Sequence, residues 1–130
     1  MADGLGWPIE VIPDADCVLM RAHRGHFLGG ELAPGVFRSH SGGMSVNWDK
    51  YASPELTKRQ ATGNPDDNAV IRLQVLSIRQ ISDLRVEHSL EPANRAHSDV
   101  RGLPTNREQL TEVRVLLLRK TEIAISLTPR

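Results

Sequence analysis

Cysteine is the scarcest reactive residue in this chain: there is one, Cys17. A single thiol excludes an intramolecular disulfide and a cysteine-built zinc site. Its setting, DCVLMR, reads as a small buried strand residue. Aromatic residues are also few, with two Trp, two Phe and one Tyr. Recognition of single-stranded nucleic acid relies on aromatic platforms that stack bases, so the sequence carries no strong signal for it. Net charge is missing too. Sixteen basic residues cancel sixteen acidic ones, so no overall field draws the chain to nucleic acid or to an anionic membrane. Apolar runs such as VLLL are far too short to span a bilayer, which argues against a membrane role. The first residues, MADGLGWPIEVIPDAD, are acidic and broken by proline. They have neither the basic region nor the apolar core of a secretion signal, so cytoplasmic residence is the expectation.

What is present describes a single folded domain over residues 1–130. A chain of this length covers about two thirds of its unfolded surface on folding, enough for a core without staples. A strand is expected at about residues 16–22, opened by the Pro13-Asp14 turn signal. RGHFLGGELAPGVFRSHSGG follows, with six glycines between positions 25 and 43 and room for one short strand at Val36 to Arg38. Such a stretch either turns the chain or wraps a ligand. MSVNW reads as the next strand. YASPELTKRQATG then starts a helix, with Ser53 as N-cap, Pro54 at the first helical position and Gly63 as a stop.

AVIRLQVLSIRQISDLRVEHSL alternates twice, which predicts two strands joined as a hairpin or bent pair around Ser82-Asp83. EPANRAHSDVRGLP reads mostly as loop. In TNREQLTEVRVLLLRKTEIAIS, Thr105 and Glu108 have capping-box spacing. Leu110, Val113, Leu117 and Ala124 recur at helical spacing, although the β-branched end would also suit a strand. Strands do not alternate regularly with crossover helices. The expected class is therefore α+β, a mostly antiparallel sheet of four or five strands with two helices.

In HSGGMSVNWDKYASPE, Met44, Val46 and Trp48 share one face of a strand and Ser45 and Asn47 the other. Trp48 is expected in the core and Asn47 outside it. A solvated face explains Ser45 and Asn47, but so does a small-ligand pocket between the glycine-rich loop and the helix start.

Five histidines are present, four of them in two groups. His23 and His26 stand three apart. His88 and His97 stand nine apart, with Asp99 two beyond. Without an H-E-x-x-H signature, separate histidines are expected rather than a metal site. A metal-dependent hydrolase stays as an alternative only if they converge. The His-Ser pairs His40-Ser41, His88-Ser89 and His97-Ser98 lack the hydroxyl two residues after each His that twin phosphoesterase motifs need. No nucleophile elbow, P-loop or dinucleotide fingerprint occurs, and the residues leave any cofactor unknown. RAHSDVRG is the most polar compact motif. Asp99 could orient His97, and Arg95 and Arg101 could hold a phosphate or carboxylate. Alternatively, Ser98 and Asp99 satisfy local amides in a loop.

The order VLMRAH, glycine-rich loop, GGMSVNWDKY, helix and paired strands resembles the layout of ADP-ribosyltransferase-like folds across roughly residues 16–90. The resemblance implies a site for a nicotinamide nucleotide. It gives Arg21 the first-strand role, Ser45 the second-strand role and Glu87 the role of the later carboxylate. The blocks SVNWDKY and AHSDV also resemble those of small bacterial proteins of unassigned function. The leading expectation is a nucleotide- or phosphate-directed transferase. Arg21 would bind the anion, Ser45 position it, and Glu87 or His97 act on a hydroxyl, with Asp99 as a further catalytic residue and Asn47, Arg95 and Arg101 binding the ligand. The alternative is a non-enzymatic interaction module, with a homodimer contact along residues 108–125.

Overall fold

The computed structural model describes residues 6–40 and 42–129. Ser41 of the His40-Ser41 pair, and the first five residues of the acidic start, lie outside the described residues. In chain order the elements are β1 (Cys17–His23), β2 (Phe27–Leu28), β3 (Glu31–Leu32), β4 (Met44–Trp48), α1 (Pro54–Arg59), β5 (Asn68–Gln74), α2 (Val75–Arg79), β6 (Arg85–His88), β7 (His97–Arg101), α3 (Arg107–Arg119) and β8 (Glu122–Ile125). Six strands form one sheet in the order β6-β7-β4-β1-β5-β8, with β2 and β3 as a separate ribbon. Every pairing is antiparallel. The α+β class holds, with six strands in the main sheet where four or five were expected and three helices where two were. No helix among the described residues is long and apolar enough to cross a membrane.

The period of two divides the sheet cleanly. Val18, Met20, Ala22, Met44, Val46, Trp48, Ala69, Ile71, Leu73, Val86 and Val100 face the core. Val113 and Leu117 of α3 pack there, together with Val36 and Phe37. Arg114 Nε donates to the Phe37 carbonyl at 2.8 Å, which ties α3 to that turn. The other face carries Arg21, Ser45, Asn47, Glu87, His97, Asp99 and Arg101.

Several local expectations are corrected. Asn47 is buried, at 4% exposure. The alternation is as expected and Trp48 does lie on the opposite face, but α1 folds back and covers Asn47 as well. The Ser53 hydroxyl accepts from the Leu56 amide to start that helix as expected, yet it ends at Gln60, before Gly63. β5 and β6 are not a hairpin: three strands separate them in the sheet. Val75 and Ile78 lie one helical turn apart and bury together, so VLSIR closes into α2 instead of continuing the strand. The supposed loop around residues 91–104 contains β7, held by hydrogen bonding to both β4 and β6. Residues 34–36 form a 3₁₀ turn rather than leading into a strand. Asn106, not Thr105, caps α3, accepting from the Gln109 amide at 3.0 Å. The β-branched end beyond α3 pairs as β8.

One irregularity shapes the site. β1 pairs with β5 along all seven of its residues, but with β4 only at Val18↔Trp48 and Leu19↔Asn47. β4 in turn pairs with β7 from Met44 to Asn47. The sheet is thus two three-stranded halves joined by a short seam.

Candidate functional site

Beyond Leu19 and Asn47 the two central strands part, and a cleft of about 660 Å³ opens between the halves. Met20, Arg21 and His23 of β1 line one side, and Met44, Ser45 and Val46 of β4 the other. The connection from β1 to β4 leaves and returns at this end of the seam, so its residues His26, Arg38 and His40 also line the cleft. Thr57 and Gln60 reach it from α1 and its C-cap, and Glu91, Asn94 and His97 from the other half of the sheet.

The lining is unbalanced in charge. It holds Arg21, Arg38 and four of the five histidines. Glu91 is the only carboxylate among its described residues. Arg21 donates from Nη1 to the Thr57 carbonyl at 3.0 Å. Among the described residues no carboxylate pairs with Arg21 or Arg38. Burial draws the Arg21 guanidinium below its ordinary pKa. His26 is also held below the usual histidine value, by burial first and then by the charges of Arg38 and His23. Burial is the first cause of both shifts, and only His26 also feels neighbouring positive charge.

Ser45 and His97 meet on the β4 wall. His97 Nε2 lies 3.3 Å from Ser45 Oγ. Its Nδ1 donates to the Ser89 carbonyl at 2.7 Å, with Ser89 Oγ at 3.2 Å. Behind them Asn47 joins three elements. Its amide donates to Thr57 Oγ1 at 3.0 Å and to Gln60 Oε1 at 2.8 Å, and its carbonyl accepts from Asn94 at 2.9 Å. With these partners, its role on this wall is to hold the scaffold.

The remaining candidates fall elsewhere. Asp99 accepts from Ser89 Oγ at 2.7 Å and from Arg101 at 3.1 Å, so it braces the Ser89 turn rather than touching His97. Gly43 is needed beside it, because a Cβ there would stand 2.8 Å from Asp99 Oδ1. Glu87 pairs with Arg101 at 2.9 Å, on the same sheet face but outside the cleft lining. Arg95 and Arg101 do not share a ligand position. Arg95 lies 4.1 Å over the Tyr51 ring and pairs with Glu10 at 3.7 Å. His88 is buried on the core face, opposite His97, accepting from the Glu10 amide and donating to the Arg95 carbonyl. No group of three His, Cys, Asp or Glu residues among the described ones could hold a metal ion.

Sequence reasoning missed Arg38, Glu91 and Asn94 as lining residues, and weighed His26 and His40 only as metal or phosphoesterase candidates. The polar RSH run at the end of the glycine-rich stretch hinted at Arg38 alone of these three. Comparison with family models, with curated proteins and with solved structures finds no match to this chain.

Proposed function

We propose that the cleft binds a nucleotide or a phosphorylated small molecule, and that the chain is a phosphate-directed transferase. The excess of cations over carboxylates in the lining carries this reading. A partly desolvated arginine without a carboxylate partner gains most from an incoming anion, and a phosphate suits its forked donors. The hydroxyls and amides of Thr57, Gln60, Asn68 and Asn94 offer neutral partners for a sugar or base. The resemblance to ADP-ribosyltransferase-like folds fits Arg21 and Ser45, which face each other across the cleft. Glu87 is outside the lining, so in such a reaction the carboxylate role falls to Glu91. A thermal-shift series tests the reading with ATP, ADP, NAD and inorganic phosphate against adenosine. The phosphate-bearing compounds should raise the melting temperature and adenosine should not, since stabilisation follows ligand concentration over Kd. Equal silence from all of them at millimolar concentration removes the reading.

A second reading rests on a separate observation. Leu116 and Ile123 are 40% and 48% exposed, and β8 is an edge strand. A homodimer contact along α3 and β8 would cover them. Light scattering decides it, with Leu116→Glu as the control.

A further inference from the structure

We propose that Ser45 is a nucleophile that takes up a phosphoryl group covalently, with His97 as its base. The substrate is then a nucleotide or similar compound whose phosphate ester or anhydride bond is broken. This rests on the cleft being a phosphate site, and it assigns Ser45 a chemical role beyond positioning.

The protonation of His97 follows from its partners. A backbone carbonyl only accepts hydrogen bonds, so the 2.7 Å contact with Ser89 O places the proton on Nδ1. In the neutral imidazole the lone pair is then on Nε2, which lies 3.3 Å from Ser45 Oγ and 3.8 Å from Glu91 Oε1. That separation is long for a hydrogen bond, as base–nucleophile contacts often are before a substrate is bound. The base is fixed and the nucleophile is open. The His97 side chain is 13% exposed, while Ser45 is an exposed residue. The Ser89 turn that orients the ring is itself braced, because Ser89 Oγ donates to Asp99. Ser45 Oγ makes no other hydrogen bond among the described residues. Arg21 also lines the cleft and is the cation that would compensate the charge of the non-bridging phosphate oxygens.

The step balances without a further reactant. Ser45 Oγ attacks phosphorus and gives its proton to His97 Nε2. The Oγ–P bond forms as the bond from phosphorus to the leaving oxygen breaks, and that oxygen takes the proton from Nε2. An acceptor hydroxyl then attacks the phosphoserine, passing its proton to Nε2. The P–Oγ bond breaks, and Ser45 recovers its proton from His97.

Diisopropyl fluorophosphate tests the pair without knowledge of the substrate. Ser45 Oγ would displace fluoride, leaving one diisopropylphosphoryl group on the chain and releasing hydrogen fluoride. Intact-mass and peptide mass spectrometry should find a single adduct on Ser45. It should vanish in Ser45→Ala and form at least about tenfold more slowly in His97→Asn, both checked for folding by circular dichroism. Should His97→Asn fail to fold, His97→Gln takes its place. No adduct, an adduct at another residue, or one that forms equally fast without His97 overturns the proposal. Thermal shift with inorganic phosphate on the same samples separates the two ideas. Stabilisation without an adduct leaves the phosphate site and removes the nucleophile. An adduct without stabilisation leaves a Ser45–His97 nucleophile and removes the phosphate reading.

Discussion

Two clusters of charged side chains flank β4, and they are wired in opposite ways. On the core side, Glu10, Lys50, Tyr51 and Arg95 gather around Trp48 and His88. Lys50 pairs with Glu10 at 2.9 Å and lies 5.2 Å over Trp48. Arg95 pairs with Glu10 and packs on Tyr51 and, at 5.8 Å, on Trp7. The Tyr51 hydroxyl donates to Glu10, and this bond first, then Lys50, holds the Glu10 carboxyl below its usual range. In the cleft, by contrast, Arg21 and Arg38 have no carboxylate partner among the described residues. Where a counter-charge is supplied from within the chain, the cluster fastens the N-terminal segment to the sheet. Where it is not, the charge stays open to an incoming anion, as the proposed function requires.

Breaking the paired cluster should have the largest effect. Trp48 is fully buried, edge-on to both Tyr51 and His88, and its Nε1 donates to Asp16 at 2.8 Å. Trp48→Ala should cost about 3–5 kcal/mol in urea unfolding. A cost under about 1 kcal/mol would mean that the cluster does not hold the fold together.

A pair of arginine substitutions sharpens the contrast. Arg21→Met should weaken phosphate or nucleotide binding by about ten- to a hundredfold, the loss of charge-assisted hydrogen bonds. It should leave stability nearly unchanged, because relief of the burial cost of the charge offsets the lost hydrogen bond to the Thr57 carbonyl. Arg95→Met should do the reverse, lowering stability by about 1 kcal/mol through lost ring and carboxylate contacts while sparing affinity. Calorimetric titration and unfolding on both variants give the four values. If the two substitutions behave alike, the distinction between the clusters fails.

The smallest expected effect is on pH dependence. His26 has a lowered pKa in the free folded chain. The unfolded chain therefore binds more protons as pH falls below about 6.5, and this histidine's contribution to stability declines from there through its folded value. A bound anion would offset the push from Arg38 and His23 and raise that pKa. Binding would then take up a proton and tighten by a few fold as pH falls through the same window. Titrations at pH 7.5 and at about pH 6 on the wild type and on His26→Asn measure it. An unchanged slope in the variant would assign the effect to another group.

The legible parts of this protein were those set by neighbours in sequence. β1 could be read from the Pro13-Asp14 turn signal before it, β4 from alternation, and the start of α1 from Ser53-Pro54-Glu55. The class followed from the order of such segments. α2 was not legible, because a five-residue apolar run serves as strand or helix until its packing decides. β7 was hidden because HSDVR shows only two inward positions, Ser98 and Val100, and one is polar. The placement of Arg21 opposite Ser45 rested on a resemblance of element order, and Glu87 was carried over with them to a position outside the cleft lining.

By itself, the sequence determined which side chains share a sheet face, since the period of two is a property of the extended backbone. It put Ser45 and Asn47 on one face of β4 and Trp48 on the other, and strand pairing then added Arg21, His97 and Asp99 to the Ser45 face. Only the tertiary structure decided that α1 would bury Asn47, that β1 and β4 would separate past Leu19, and that His97 would reach Ser45 across 52 positions of chain. Strand partner, cover and seam length depend on contacts between residues far apart in sequence. Their free energy is settled by packing and hydrogen bonding in the assembled sheet, and no local pattern records it.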